Sequence, residues 1–183
     1  MSETPSSPFE SHAFGDGDAY RRLARCQADS VMVVTVLRRE DTVGALAPLR
    51  DGFTATAFLT VSMSPPIVLV SATNASSALA MLRDAECFAV NLLARPQRPI
   101  ADLFASPHDR RERPFDQHAW TPDAHGAPLF SGALGAFSAR VRELVPAGDH
   151  TLCLGDVTAL HIGASGEPLL YHSRRYGGFA PDA

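Results

Sequence analysis

The tripeptide Gly148-Asp149-His150 is the sharpest chemical signal in the chain. A glycine allows the turn that would aim an imidazole at the start of a strand, and a neighbouring carboxylate can orient the ring. An aspartate that only caps the turn, beside a half-buried histidine, explains the same residues. The stretch Gly52-Phe53-Thr54-Ala55-Thr56-Ala57 offers close backbone approach and hydroxyls, which suit a ring carrying hydrogen-bond donors and acceptors. As structure alone it is a strand of small residues. His108, His118 and His125 share a segment with Asp109, Asp116 and Asp123. Such spacing is common in solvated loops, so the segment reads as a polar loop and no metal site is assigned. Neither a phosphate-binding P-loop, a serine-hydrolase elbow nor a zinc-protease H-E-x-x-H is present. Gly132-Ala133-Leu134-Gly135 lacks the third glycine of a dinucleotide fingerprint.

The elements that must hold these residues are short and mostly extended. Residues 1–17 read as a mobile tail rich in Ser, Pro, Gly and acids, with no basic cluster or apolar run to mark a secretory signal. The spacing of Tyr20, Leu23, Ala24 and Cys26 predicts a helix over 18–27. Val31 to Leu37 is β-branched and nearly all apolar, a buried strand. Turns are expected at Arg38–Asp41 and Pro48–Gly52, with a short edge strand at Val43–Leu46 between them. Phe53 to Met63 alternates and predicts one strand, and Pro65-Pro66 separates it from another at Ile67–Ser71. Ser76 or Ser77 caps a helix running to Asp84. A strand follows at Cys87–Leu92 and a short helix at Pro99–Phe104. Residues 105–128 are a long polar loop, and strands close the chain at 135–143, 150–161 and 169–171. Helices do not alternate with strands, so the pattern favours an antiparallel barrel with helices across its ends over a doubly wound sheet.

Composition narrows the function classes. The chain has 183 residues, 16 basic and 20 acidic, for a net charge of −4. That balance disfavours a nucleic-acid binder. Hydrophobic residues are 45% and charged residues 20% of the chain, enough for one globular domain over 18–183. The uncharged stretch from Gly52 to Leu82 is interrupted by hydroxyls and Pro65-Pro66, which argues for buried strands and against a membrane span. Cys26, Cys87 and Cys153 are widely spaced and odd in number, pointing to reduced thiols and a cytoplasmic setting.

The run from Gly52 to Val70 (GFTATAFLTVSMSPPIVLV) resembles the signature of the short-chain NAD(P)H:flavin reductases, the reductase components of two-component flavin monooxygenases. Phe88-Ala89-Val90-Asn91-Leu92-Leu93 with Gln97, Ala147-Gly148-Asp149-His150 followed by Leu154-Gly155-Asp156-Val157, and Pro168-Leu169-Leu170-Tyr171 leading to Tyr176-Gly177 match in the same order. The resemblance spans about residues 18–179. It implies a mainly β, antiparallel FMN-binding split barrel that forms a homodimer. It further implies an NAD(P)H:flavin oxidoreductase that uses FMN or FAD with NADH or NADPH and passes diffusible reduced flavin to a partner monooxygenase. By position it places flavin contacts on Asp51, Gly52, Phe53, Thr54, Thr56, Ala57, Ser71, Ala72, Thr73, Ser77 and Ala78, with Leu103 and Phe104 at the far end. The nicotinamide side falls on His150, the residue assigned to the reacting centre, and on Tyr171, His172, Ser173, Arg174 and Tyr176. Basic residues that the family often carries near Asn74–Ser77 and at Leu103 are uncharged here, so Arg110, Arg111 or Arg113 is expected to meet the flavin phosphate. Two rival readings share the fold: a flavoprotein acting directly on an organic substrate, and a non-enzymatic flavin-binding module.

Overall fold

The computed structural model describes residues 11–12, 15–38, 49–107 and 110–179. Helix α1 (Gly17–Ala24) starts where the Asp16 carboxylate accepts the backbone N–H groups of Asp18 and Ala19, and Arg21 and Arg22 complement the dipole at its last turn. It ends three residues short of the expected Gln27. No residue of α1 is buried, so the Tyr20 and Leu23 periodicity faces outward.

Strands β1 (Ala28–Ser30), β2 (Met32–Arg38), β3 (Leu49–Ala55), β4 (Phe58–Met63) and β5 (Pro66–Thr73) lead to helix α2 (Ser77–Asp84). Then come β6 (Cys87–Leu92), a 3-10 turn at Arg95–Gln97, helix α3 (Arg98–Ala105), β7 (Trp120–Pro122), β8 (Pro128–Phe130), β9 (Gly135–Ala147), β10 (His150–Ile162), β11 (Leu170–His172) and β12 (Arg175–Gly177). Seven of the strands form one antiparallel sheet in the order β3-β2-β6-β9-β10-β5-β4. Its two edges, β3 and β4, are joined only by Thr56-Ala57. The sheet therefore curls until its edges meet at a corner and part beyond it, which is the expected split barrel. Smaller sheets pair β1 with β11 and β12, and β7 with β8.

Strand β2 has a core on each face. Met32, Val34 and Val36 point into the barrel with Phe53, Val70, Leu82 and Phe88, while Val31 and Val33 pack under α3 with Phe104, Phe130 and Leu169. Burial on both faces explains the nearly continuous apolar run at 31–37, in which buried Thr35 is the one polar residue. Asn91 is buried between β2 and β8. Its amide donates to the carbonyls of Val33 and Pro128 and to Thr35 Oγ1, and its Oδ1 accepts Phe130 N–H.

Three expectations are corrected. The alternating run 53–63 is two strands, because Thr56-Ala57 carries the chain from β2's edge to β5's. Leu49 to Gly52 is strand, paired with Arg38 to Thr35, where a turn is expected. The loop 105–128 is in part a core element: Phe115 and Trp120 pack with Phe104 and Phe130, and Trp120 Nε1 donates to the Phe115 carbonyl. Within it, Trp120–Pro122 and Pro128–Phe130 pair as a short hairpin. The expected edge strand at 43–46, the turn residues 39–41, most of the tail, His108 and Asp109 lie outside the described residues.

Candidate active site

Two corners and one turn meet at one end of the barrel. The first corner is Thr56-Ala57, where the Ala57 carbonyl accepts the Ser71 N–H at 3.0 Å and so binds the β3–β4 corner to β5. The second corner is the exit from β5. Ser76 caps α2 by accepting Leu79 N–H, and its hydroxyl donates to the Thr73 carbonyl at 2.7 Å. The first-turn amides at Ser77 and Ala78 have no carbonyl to pair with inside the helix and carry the positive end of its dipole.

The turn is Gly148-Asp149, between β9 and β10. Gly148 has φ +65° and nothing within 4 Å of a Cβ added there, so the backbone conformation and not lack of room selects glycine. His150 then falls in register opposite Thr73 of β5. Asn74 locks turn to corner with both ends of its amide: Nδ2 donates to the Gly148 carbonyl at 3.1 Å, and Oδ1 accepts Thr151 Oγ1 at 2.7 Å. Its backbone N–H donates to the Asp149 carbonyl. Asn74, one of the uncharged residues where the family often carries a basic one, is thus a brace between turn and corner. Asp149 Oδ1 stands 2.7 Å from His150 Nδ1, and this hydrogen bond and the imidazole's charge hold the Asp149 carboxyl below its usual range.

A second cluster sits beneath β3. Arg111 Nε donates to the Ser106 carbonyl at 2.8 Å and Nη1 to the Gly52 carbonyl at 2.5 Å. Nη1 lies 3.8 Å from Asp51 Oδ1, with the two side chains 4% and 2% exposed. Burial lowers the Arg111 pKa, and Asp51 opposes that shift. The guanidinium rests over the Phe104 ring, and Arg50 covers Trp120 in the same way.

Residues 24–180 match the flavin reductase like domain. The NADH:FMN oxidoreductase of Rhodococcus qingshengii is 34% identical over 178 residues, covering 95% of this chain and 87% of the relative. The NADH:FAD oxidoreductase of Streptomyces globisporus, solved in complex with NAD and FAD fragments, superposes with a TM-score of 0.81 at 31% identity, covering 96% of this chain and 99% of that one. The flavin reductase component of a bacterial two-component tryptophan halogenase superposes at 0.78 with 31% identity, covering 92% and 100%.

The chain belongs to the flavin reductase family. Within this flavin reductase fold the residues assigned by resemblance fall into three groups. Thr56, Ala57, Ser71, Thr73, Ser77, Ala78 and His150 come together along the rim and are partly or fully exposed. Asp51, Gly52, Phe53, Ala72 and Phe104 are buried. Phe53 and Ala72 line the barrel core, Phe104 lies in the core under α3 with Leu103 packed beside it, and Thr54 Oγ1 donates to the Ala101 carbonyl of α3. Tyr171, His172, Ser173, Arg174 and Tyr176 lie on the β11–β12 hairpin of a different sheet from His150. There Ser173 and Arg174 turn with φ +47° and +65°, Ser173 Oγ donates to the Arg25 carbonyl, and Arg98 covers the Tyr176 ring. Burial, then the Asp102 carboxylate, pushes the Tyr176 hydroxyl pKa up.

Of the three arginines expected at the phosphate, Arg111 is turned inward, Arg113 faces Asp116 at 3.8 Å in the open, and Arg110 is exposed. Sequence reasoning missed the inward role of Arg111. The signal was Asp51 itself, a carboxylate spaced two residues from apolar Leu49 and Phe53, which demands a cation when buried.

Proposed function

We propose that this chain is an NADH-dependent flavin reductase that delivers reduced flavin to a separate monooxygenase. The observation that carries the reading is the rim: hydroxyls, small residues and backbone amides, with His150 and Asp149 as its ionisable pair. Such a donor set fits a heteroaromatic ring with polar edges and a phosphate tail. When bound, the flavin supplies N5 as acceptor for the hydride of nicotinamide C4.

The chain's own residues bind and orient. Thr56, Thr73 and Ser77 would hydrogen-bond the polar edges of the flavin, while Ala57 and Ala78 leave room for a flat face. The first-turn amides of α2 would offset negative charge on the ligand. His150 would hold the carboxamide of the nicotinamide. Hydride transfer between these rings needs no side-chain acid, which agrees with a rim lacking paired carboxylates. Holding two reactants in line is worth up to roughly 7–11 kcal/mol in favourable cases, and positioning is what this rim can supply.

The named activities of the Rhodococcus and Streptomyces relatives support NADH as donor, and they leave FMN and FAD both as acceptors. The halogenase reductase supports a diffusible-flavin partnership. We further assign a homodimer. Leu59, Val61 and Met63 on the edge strand β4, and Leu160 and Ile162 on the part of β10 beyond its pairing with β5, have exposed side chains, Met63 by 95% and Ile162 by 91%. Exposed apolar side chains of this kind suit two-fold pairing. A cytoplasmic setting accords with three free cysteines, and no described helix is long and apolar enough to cross a membrane. The deciding experiment is NADH oxidation with FMN or FAD in excess. Turnover with either flavin is expected, and no NADH consumption with both overturns the reading.

A further inference from the structure

Arg111 ties together parts of the chain that are distant in sequence. Its fork reaches the carbonyl of Ser106, the C-cap of α3, and the carbonyl of Gly52 in β3. Among the described residues β3 is an edge strand, paired in its sheet with β2 alone, so no other described strand holds its far side. Gly52 and Thr54 lie on the same face of β3, and each is bound to the α3 region: Gly52 through Arg111, Thr54 through its hydroxyl to Ala101. Two residues beyond Thr54, just past the end of β3, the chain reaches Thr56 at the rim corner.

The approach at Gly52 is tight. A Cβ there would stand 2.6 Å from the Val34 carbonyl and 3.3 Å from the Phe104 ring. The Phe104 ring also carries the Arg111 guanidinium, and the Asp51 carboxylate neutralises it. An arginine with such partners is held in one geometry, because its planar fork presents several donors in fixed directions.

We propose that Arg111 is a positioning residue of the flavin site, holding β3 against α3 so that the Thr56-Ala57 corner meets β5 in a binding-competent shape. The proposal rests on the reading of the rim as the flavin site. A lysine keeps the charge but cannot bridge two carbonyls as the fork does.

Arg111→Lys and Arg111→Met test it, with the flavin dissociation constant measured by fluorescence quenching. In folded variants that constant should rise about tenfold, the loss of one charge-assisted hydrogen bond. The NADH Michaelis constant at saturating flavin should stay within about twofold of wild type, since His150 sits on a different strand. Linkage supplies a second readout that needs no variant. If the clamp favours flavin, flavin must stabilise the clamp, so saturating FMN should slow hydrogen exchange of wild-type Ser106 and Arg110–Glu112 by at least about threefold. Unchanged flavin affinity in a folded Arg111→Lys, or unchanged exchange in wild type, makes Arg111 a loop anchor only. If wild type neither binds flavin nor oxidises NADH, the functional reading itself has failed, and that outcome is seen before any variant is made.

Discussion

His150 Nδ1 lies 2.7 Å from Asp149 Oδ1, so a side chain with its other ring nitrogen at the rim is oriented by the residue before it. The carboxylate only accepts, so Nδ1 donates to it, and when the ring is neutral its Nε2 is left as an acceptor. An acceptor there matches the N–H₂ of a nicotinamide carboxamide. His150→Ala should raise the NADH Michaelis constant and slow stopped-flow flavin reduction by roughly tenfold or more, the scale of one lost hydrogen bond. His150→Gln, which still offers an acceptor, should recover part of the loss. Flavin affinity should change little in both. Wild-type reduction kinetics in His150→Ala would remove the residue from the site.

The same pair predicts a tautomer effect. Asp149→Asn replaces an obligate acceptor by a group that can also donate, so Nδ1 no longer has to hold the proton. The NADH Michaelis constant should rise without any change in flavin binding, and the Nδ1 and Nε2 shifts of His150 in ¹⁵N spectra should report mixed tautomers. The sign of the acid dependence follows from the Asp149 shift, which is downward. The contact is present above the usual carboxylate range and is lost as pH falls through the lowered value. An ¹⁵N signature that does not differ between wild type and Asp149→Asn contradicts the assignment.

Gly52 is a packing position. Its added Cβ would collide with the Val34 carbonyl inside the β2–β3 ladder. Gly52→Ala should therefore destabilise the fold by about 1–3 kcal/mol in urea titrations, and Gly52→Val by more. A fully stable Gly52→Val that has lost only its flavin affinity would place the glycine against the ligand instead.

Cys153 is fully buried, and burial pushes its thiol up to about 12 from the ordinary 9.0. The neutral thiol is favoured in the fold. Its contribution is complete below the unfolded value and is lost as pH rises through the folded one. Native protein at neutral pH should label at exposed Cys26 with a thiol reagent and leave Cys153 untouched until unfolding. The urea midpoint of wild type should fall between pH 8 and 11 more steeply than that of Cys153→Ala.

The apolar edge makes a separate demand. Val61→Glu with Ile162→Glu places two carboxylates on the proposed interface. Light scattering should give about 39 kDa for wild type, twice the 19.6 kDa chain mass, and one chain mass for the double variant. A wild-type monomer with full turnover rules the dimer out.

Where a signal was local, the sequence carried it. Ser76 as a cap with Leu79 and Leu82 on one face marked α2, and the residues 87–92 marked β6 to the residue. Gly148 announced a turn, and Asp149-His150 announced what the turn delivers. Four ordered segments announced the family, and with it the split barrel and the flavin chemistry. The helix, strand and turn rest on propensity, capping and pattern, which act over a few residues, whereas the barrel and the flavin chemistry were implied by the family resemblance. The rest depends on which residues meet across the fold. Alternation runs through 53–63 with Phe58 as its one apolar exception, because the change of partners at Thr56-Ala57 leaves the period nearly intact. Gly52 looks like a turn residue until the Val34 carbonyl and the Phe104 ring are set against it. Arg111 stands in a run of charges and is expected at the flavin phosphate, but in the fold Asp51, Gly52 and Ser106 surround it. In each case the deciding contact joins residues far apart in sequence, and only the folded chain brings them within reach.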